Sequence, residues 1–455
     1  MTREYDVIIV GGGPAGIFAA LELSKASALN ILLIDKGRDI DKRSNLVSGL
    51  GGAGAFSDGK LTLSTQAGGW LNDYIGELNA EDLIQYVDDI YLKFGAPNKL
   101  YGVGDEIEEI RQKASLNGLR LIPLPIRHLG TECCRSVLRV MRKHLSSRIE
   151  IGLEVKARRV IVSRGRVKGI ETEDGQRFGC RYIILAPGRD GADWLSDEAR
   201  RLNMVMHYQP LDVGVRVEVP AKVMEKLTDS LYEAKLEYTT ASFGDRVRTF
   251  CMCPKGEVIV ETTGGDDPII TVNGQSHNNH KSNNTNFAVL LSTNFDQPFN
   301  NPIAYGKHLA RLTNILSGGV LVQRFGDLLD GTYSTPACIM QGLVQPTLKS
   351  AVPGDLGFVL PYRYLAGIIE MLQTMDKLVP GVASSDTLLY GVEVKFYSCG
   401  PKLTSRLETG ITNMFAIGDG AGVSRGLIQS SASGVIAARE IMDRMHVIGR
   451  SASTR

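Results

Sequence analysis

The sequence predicts an α/β protein: a Rossmann-like dinucleotide-binding domain of parallel sheet plus three-stranded meander, with an inserted α+β domain on a mostly antiparallel sheet. Three observations carry this. A short β-branched run, residues 7–10, leads straight into Gly11-Gly12-Gly13-Pro14-Ala15-Gly16 and then a helix. Two later apolar segments, 182–185 and 409–419, each close on a glycine turn, as strands returning to one parallel sheet do. Residues 196–396 instead show strand-like alternation with several Pro-centred turns and two helices, 305–316 and 364–378.

The first element is the most specific. Residues 7–10 have the composition of a strand buried on both faces. The glycine run contains G-x-G-x-x-G between strand and helix: the first Gly permits the tight turn, the second admits a pyrophosphate, and the third lets helix pack on strand. The helix that follows directs free amides and the positive end of its dipole at those phosphates. A second strand, 31–34, ends at Asp35, nineteen residues beyond Gly16. A carboxylate there accepts hydrogen bonds from ribose hydroxyls and disfavours a 2′-phosphate.

Composition narrows the class. The 455 residues are enough for two or three domains, and 43% hydrophobic with 22% charged is ordinary for a soluble enzyme. A net charge of +1 gives no reason to expect nucleic acid or an anionic membrane as partner. No apolar run reaches the ~18–20 residues of a membrane helix. The first strand leaves no room for a signal peptide, so a cytoplasmic location is expected. Seven scattered cysteines without C-x-x-C do not form a disulfide framework. His277 and His280 fall in an Asn-rich, loop-like stretch, so no metal is expected.

In chain order, residues 36–48 are polar and loop-like. Residues 49–60 (GLGGAGAFSDGK) are too glycine-rich for ordinary backbone, and the return to the strand-like 61–63 favours a cofactor-covering loop over a linker. Residues 81–94 and 105–115 have helical spacing, and 119–126 reads as a strand. Thr131 is placed to cap a helix running to about 145, with Cys133 and Cys134 in its first turn. Residues 155–162 and 166–172 form a hairpin about Arg164-Gly165, and a third strand delivers 182–185 into Ala186-Pro187-Gly188. In the middle region, 214–219, 246–253, 257–262 and 287–292 read as strands, and 272–286 as a polar surface excursion. No second G-x-G-x-x-G follows a strand there, which removes a separate nicotinamide-binding Rossmann domain. Residues 409–419 form a buried strand ending in Gly418-Asp419, followed by a small-residue helix, 430–442. The expected organisation is a cofactor domain from 1–95, 150–195 and 397–455, a connecting segment 96–149, and a substrate domain 196–396.

The 11–35 fingerprint, the strand ending Ala186-Pro187-Gly188 and the strand ending Gly418-Asp419 together resemble the three FAD signatures of the glutathione-reductase-type flavoprotein superfamily. The segments GGAGAFSDGK (51–60), FCMCP (250–254), VEVKFYS (392–398) and IGDGAGVSRG (417–426) are further similar to prokaryotic FAD-dependent dehydrogenases, also called NAD(P)/FAD-dependent oxidoreductases. The resemblance covers nearly the whole chain. It implies FAD as cofactor, NAD(P)H as a transient electron donor, and a small organic substrate with a second organic molecule, an electron carrier or O₂ as acceptor. The implied cofactor-binding residues are Gly11, Gly13, Pro14, Ala15, Gly16, Asp35, Lys36, Ser57, Asp58, Gly59, Val155, Ala186, Gly188, Gly418, Asp419, Leu427 and Ile428. Of these, the Gly13–Gly16 amides would meet the pyrophosphate, Asp35 the adenosine ribose, Val155 the adenine, and Asp419 a ribityl hydroxyl or pyrophosphate oxygen. The Leu427 and Ile428 amides would face flavin N1 and the C2 carbonyl. The usual Ala-Thr-Gly triplet is Ala186-Pro187-Gly188 here, and Pro removes a donor.

For chemistry, His128 is the best acid–base residue by type, with the alternative of a partly buried His where a loop enters a helix. Glu393, Lys395 and Tyr397 alternate on one strand and share a face, either a substrate face or a solvated edge. Cys251 and Cys253 share a strand face too, as a redox relay or as core thiols. Arg425 stands beside the flavin turn, for a substrate carboxylate or for FAD. Two other readings stay open: a flavin-dependent RNA-modifying protein, and an NAD-binding sulfur donor of the same fold.

Overall fold

The structure, a computed structural model, describes residues 3–43, 48–57, 59–207, 210–263, 268–276, 280–293, 302–395 and 400–445. The chain forms two compact units, one from 1–99, 127–208 and 398–455, the other from 100–126 and 209–397.

The first unit is built on strands β1 (Arg3–Val10), β2 (Ile31–Asp35), β3 (Glu150–Leu153), β4 (Ala157–Ser163), β5 (Arg166–Thr172), β6 (Arg177–Leu185) and β7 (Met414–Ala416). They form one sheet in the order β3-β2-β1-β6-β5-β4, with β7 also on β6. Pairing is parallel from β3 through β2 and β1 to β6 and from β6 to β7, and antiparallel within the β4-β5-β6 meander. β6 serves both parts, because its first residues pair with β5 and residues 183–185 pair with β7. The apolar run at 7–10 lies at the centre, with Val7, Ile8 and Ile9 wholly buried. Helices α1 (Pro14–Leu23), α2 (Glu77–Lys93), α3 (Thr131–Ser146) and α4 (Leu427–Arg444) complete this unit's core. α1 and α4 touch backbone to backbone: a methyl on Gly434 would stand 2.8 Å from the Ala19 nitrogen and collide with the Ala15 carbonyl.

Among the described residues, the second unit holds an eight-stranded sheet in which only the Leu321–Arg324 and Val352–Pro353 pair is parallel, beside a two-stranded antiparallel pair, Glu257–Thr263 and Ile269–Gln275. Its central strand, Leu211–Pro220, alternates cleanly. Val213, Val215, Val217 and Val219 enter the apolar core with residues of the Ala221–Leu231 and Tyr362–Leu378 helices. Asp212, Arg216 and Glu218 lie on the other face and are buried as well.

Four local expectations are corrected. Residues 272–286 are not a surface excursion: within the described residues they supply the ends of strands Ile269–Gln275 and Asn284–Thr293. Asn284 and Asn286 are buried because buried charges satisfy them. The Asn284 amide donates to Glu218 at 3.0 Å, and Asn286 Oδ1 accepts from Arg216 at 3.2 Å. The strand expected at 409–419 is only Met414–Ala416, since Asn413 takes φ 66° and Met414 N turns back to the Ile411 carbonyl. The strand expected at 119–126 is split into Arg120–Ile122 and Ile126–His128, with Pro123 and Pro125 between them. Gly130, not Thr131, caps α3, and Thr131 is its first helical residue.

Candidate functional site

The turn between β1 and α1 is held from three sides. Gly11 N donates to the Ile34 carbonyl at 2.8 Å, Ala186 N to the Val10 carbonyl at 2.7 Å, and Gly12 N to Asp35 Oδ2 at 2.8 Å. Asp35 also accepts from Gly37 N at 2.8 Å, so its carboxylate is fixed by two amides. Side chains are excluded at Gly11, where φ is +107°, and at Gly16, where a methyl would strike the Gly11 carbonyl. Gly13 differs. Its φ is −76°, and a Cβ there would meet only Gly52 Cα at 3.9 Å. Nothing in the polypeptide demands glycine at Gly13; the space left open above the start of α1 fits a pyrophosphate. α1 has Pro14 at its start and no acidic residue in its first turn, so nothing there opposes an anion.

The glycine-rich segment lies directly on this turn. Gly51 N donates to the Gly12 carbonyl at 2.7 Å, and a Cβ on Gly52 would stand 3.0 Å from Gly13 Cα. Arg43 Nη1 fastens the segment by donating to the Leu50 and Gly52 carbonyls, both at 2.8 Å. A Cβ on Gly54 would stand 3.2 Å from Pro14 and 3.1 Å from Leu427, so the starts of α1 and α4 meet here. Ser57 Oγ accepts from Gly59 N and donates to the Gly54 carbonyl, both at 3.2 Å. Asp58 lies outside the described residues. His128 follows on the short strand paired with Lys60–Thr62. Its neighbour Arg127 is buried in a bidentate pair with Asp88, both contacts 2.7 Å, and donates to the Pro97 carbonyl at 2.7 Å.

The residues expected on the adenine side extend from Asp35. Val155 N donates to the Asp35 carbonyl at 2.9 Å, so an adenine contact at Val155 falls to its carbonyl and side chain. Lys36 pairs with Asp190 at 2.6 Å. Ala186 and Gly188 form a turn that supports the next one: a methyl on Gly420 would collide with the Gly188 carbonyl.

At the C-terminal turn, Gly418 has φ +75°, and its N donates to Ser433 Oγ at 3.0 Å. Asp419 accepts from Ser424 Oγ at 2.7 Å and faces Arg189 Nε at 3.8 Å. Burial pushes the Asp419 carboxyl up from its ordinary value, with Arg189 pulling the other way. Gly426 caps α4 without a side-chain acceptor, and no acid stands in that first turn either. The Leu427 and Ile428 amides therefore have no cap within the helix.

Two residues escaped the sequence reading. Gln429, 1% exposed, accepts from Leu71 N at 3.2 Å and donates to the Ser64 and Ala67 carbonyls at 3.2 and 2.8 Å. It thereby ties residues 64–71 to the start of α4. Trp70 lies on that strap with its ring against Arg425. The only sequence signal was the Gly68-Gly69 pair before a tryptophan.

In the second unit, Lys395 Nζ is 2.9 Å from Glu393, which also accepts from Arg216 Nε at 2.8 Å. Burial lowers the Lys395 pKa, but Glu393 and Glu261 outweigh it and hold the ammonium above the ordinary lysine value. Tyr397 lies outside the described residues. Cys251 and Cys253 do not alternate as expected, because a bulge between Phe250 and Cys253 turns Cys251 to φ 44°. Burial pushes Cys133 up, and Cys180 up to about 12, so neither is an activated thiol. Among the described residues no cluster suits a metal ion, and no helix is long and apolar enough to cross a membrane.

Residues 6–94 match the family described as FAD binding domain, and residues 210–396 the one described as FAD-dependent protein, C-terminal domain-like. An "uncharacterized protein" of Clostridium beijerinckii is 26% identical over 478 residues, spanning 96% of this chain and 80% of its own. Among solved structures, L-proline dehydrogenase from P. horikoshii is 10% identical with a TM-score of 0.43, over 98% of this chain and 95% of its own. Glycine oxidase from Geobacillus kaustophilus is 13% identical with a TM-score of 0.42, over 97% and 95%. The space above Gly13, the two uncapped helix starts and the match over 6–94 mark this unit as the one that binds FAD.

Proposed function

We propose that this protein is a dehydrogenase or reductase that passes electrons between FAD and a small organic substrate or NAD(P)H, its FAD extended as in the glutathione-reductase-type superfamily. One observation supports this above the others: two helices with uncapped starts and no acid in their first turns converge on Gly54. In this reading the Gly13–Gly16 amides hold the pyrophosphate and Asp35 the adenosine ribose. Asp419 takes a ribityl hydroxyl, and the Leu427 and Ile428 amides face the N1 and C2-carbonyl edge, where reduction places negative charge. Bound FAD supplies the electron transfer at its N5.

The chain supplies positioning and proton handling. His128 is the acid–base residue, on a strand fixed by the neighbouring Arg127–Asp88 pair. Lys395 keeps its proton against Glu393, so it acts as a fixed positive charge and not as a base. The second unit is the substrate domain. A net charge of +1 favours a small molecule over nucleic acid as partner.

Anaerobic titration with NADH and NADPH, followed by bleaching of the flavin absorbance, tests the reading. Rapid bleaching identifies nicotinamide as donor, and no bleaching by either identifies an enzyme reduced by its own substrate. A colourless chain that takes up no FAD refutes the proposal. Asp35→Ala should weaken FAD retention roughly tenfold or more, the loss of a charge-assisted acceptor, while leaving the NADH/NADPH preference alone.

A further inference from the structure

Residues 64–71 cross the turn 423–426 as a short antiparallel ladder. Arg425 N donates to the Gly68 carbonyl at 2.8 Å, Trp70 N donates to the Val423 carbonyl at 3.1 Å, and Gly69 lies opposite Ser424. The crossing admits no side chain: a Cβ on Gly69 would stand 2.7 Å from Ser424 Cα. Gln429 fastens the same strap from the first turn of α4. The result is a face contact, with the Arg425 guanidinium carbon 3.7 Å from the centre of the Trp70 ring. Guanidinium does not lose its proton, so this is a permanent charge, and its field reaches Asp419.

We propose that Arg425 is the cation that stabilises reduced FAD, and that Trp70 is its positioning residue. The inference rests on the reading above that the isoalloxazine lies at the start of α4. Hydride transfer from a reduced donor would break the donor's C–H bond, form N5–H and leave the donor oxidised by two electrons. One net negative charge is left over N1 and the C2 carbonyl. Arg425, one residue before the cap of α4, adds a full charge to the partial charges of the Leu427 and Ile428 amides there. The indole face shields that charge from water, where it would be screened.

The test is the flavin midpoint potential of the holoprotein by dye equilibration, with sulfite as a second probe, since its addition to N5 leaves the same negative charge. Arg425→Met should shift the potential negative and weaken sulfite binding about tenfold or more. Arg425→Lys should stay within about threefold of the parent, and Trp70→Leu should weaken sulfite binding about threefold, the contribution of one partly shielded face contact. A fully FAD-loaded Arg425→Met with unchanged potential and sulfite affinity overturns the assignment. Should Arg425→Met fail to hold FAD, Trp70→Leu decides by the same criteria, unchanged values overturning the proposal. A parent chain that binds no FAD instead overturns the cofactor reading beneath it.

Discussion

Gly13 and Gly16 stand three residues apart in one motif, yet the structure asks for glycine at each for a different reason. A methyl on Gly16 strikes the Gly11 carbonyl and comes within 3.3 Å of Ile9, so Gly16→Ala should destabilise the apoprotein itself by about 1–3 kcal/mol, read by urea unfolding. A methyl on Gly13 touches only Gly52 Cα at 3.9 Å, so Gly13→Ala should leave apoprotein stability within about 0.5 kcal/mol and still lose FAD, read as flavin absorbance per chain. Equal destabilisation by both would show that Gly13 serves packing alone. In the second unit, Glu393 is wholly buried between Arg216 and Lys395. Glu393→Gln leaves two buried cations short of their counter-charge, an expected loss of about 3–5 kcal/mol by thermal melting. The glycines and Asp35 were legible in the sequence because their chemistry is local, a turn and the two strands beside it. Gln429 was not, because its partner Leu71 lies 358 residues away and no spacing rule reaches that far.

At the scale of elements, α1, α2 and α4 are clamped by one carboxylate. Glu22 accepts from Lys25 Nζ at 2.7 Å, Tyr86 Oη at 2.5 Å and Arg439 Nε at 3.0 Å. Burial raises its pKa, and the hydrogen bonds from Lys25, Tyr86 and Arg439 outweigh that, leaving it below the ordinary 4.5. Its contribution is therefore complete above the unfolded-state value and lost as pH falls through the lower folded-state value. Lys25 and Arg439 are about half exposed, so solvent screens the clamp, and Glu22→Gln should cost only about 1–2 kcal/mol at pH 7. The difference from the parent should shrink toward zero as urea midpoints are followed down through acid pH; a constant difference would mean a packing defect. The core strands and long helices could be read from apolar period because each buries one continuous face. Elements were misread where polarity stood in for exposure, as at Asn284 and Asn286, or where a bulge broke alternation, as at Cys251.

At the scale of the whole molecule, the second unit is assembled from two separated pieces of chain, and the match over 210–396 begins after the first of them. Residues 100–126 supply the edge strand Arg120–Ile122, which pairs with Lys235–Thr239, and they place Ile107, Ala114, Leu119 and Leu121 in the core. They are further tied by Gly102 N to the Ser230 carbonyl at 2.9 Å and by the Tyr101–Tyr232 ring contact at 5.2 Å. Local pattern gives no sign that a strand so far upstream completes this sheet, because the pairing is decided by closure around the intervening residues. Losing three large aliphatic side chains at about 1.5–3 kcal/mol each removes stability comparable to that of a whole domain. It also leaves Lys235–Thr239 as an unprotected edge open to intermolecular pairing. A fragment of 209–397 should therefore aggregate or melt without cooperativity, whereas the same fragment with 100–126 joined to its N-terminus through a flexible linker should recover a cooperative transition. A fragment of 209–397 that stays monomeric and melts as sharply and as high as the linked version would show that the upstream piece decorates the sheet and does not complete it.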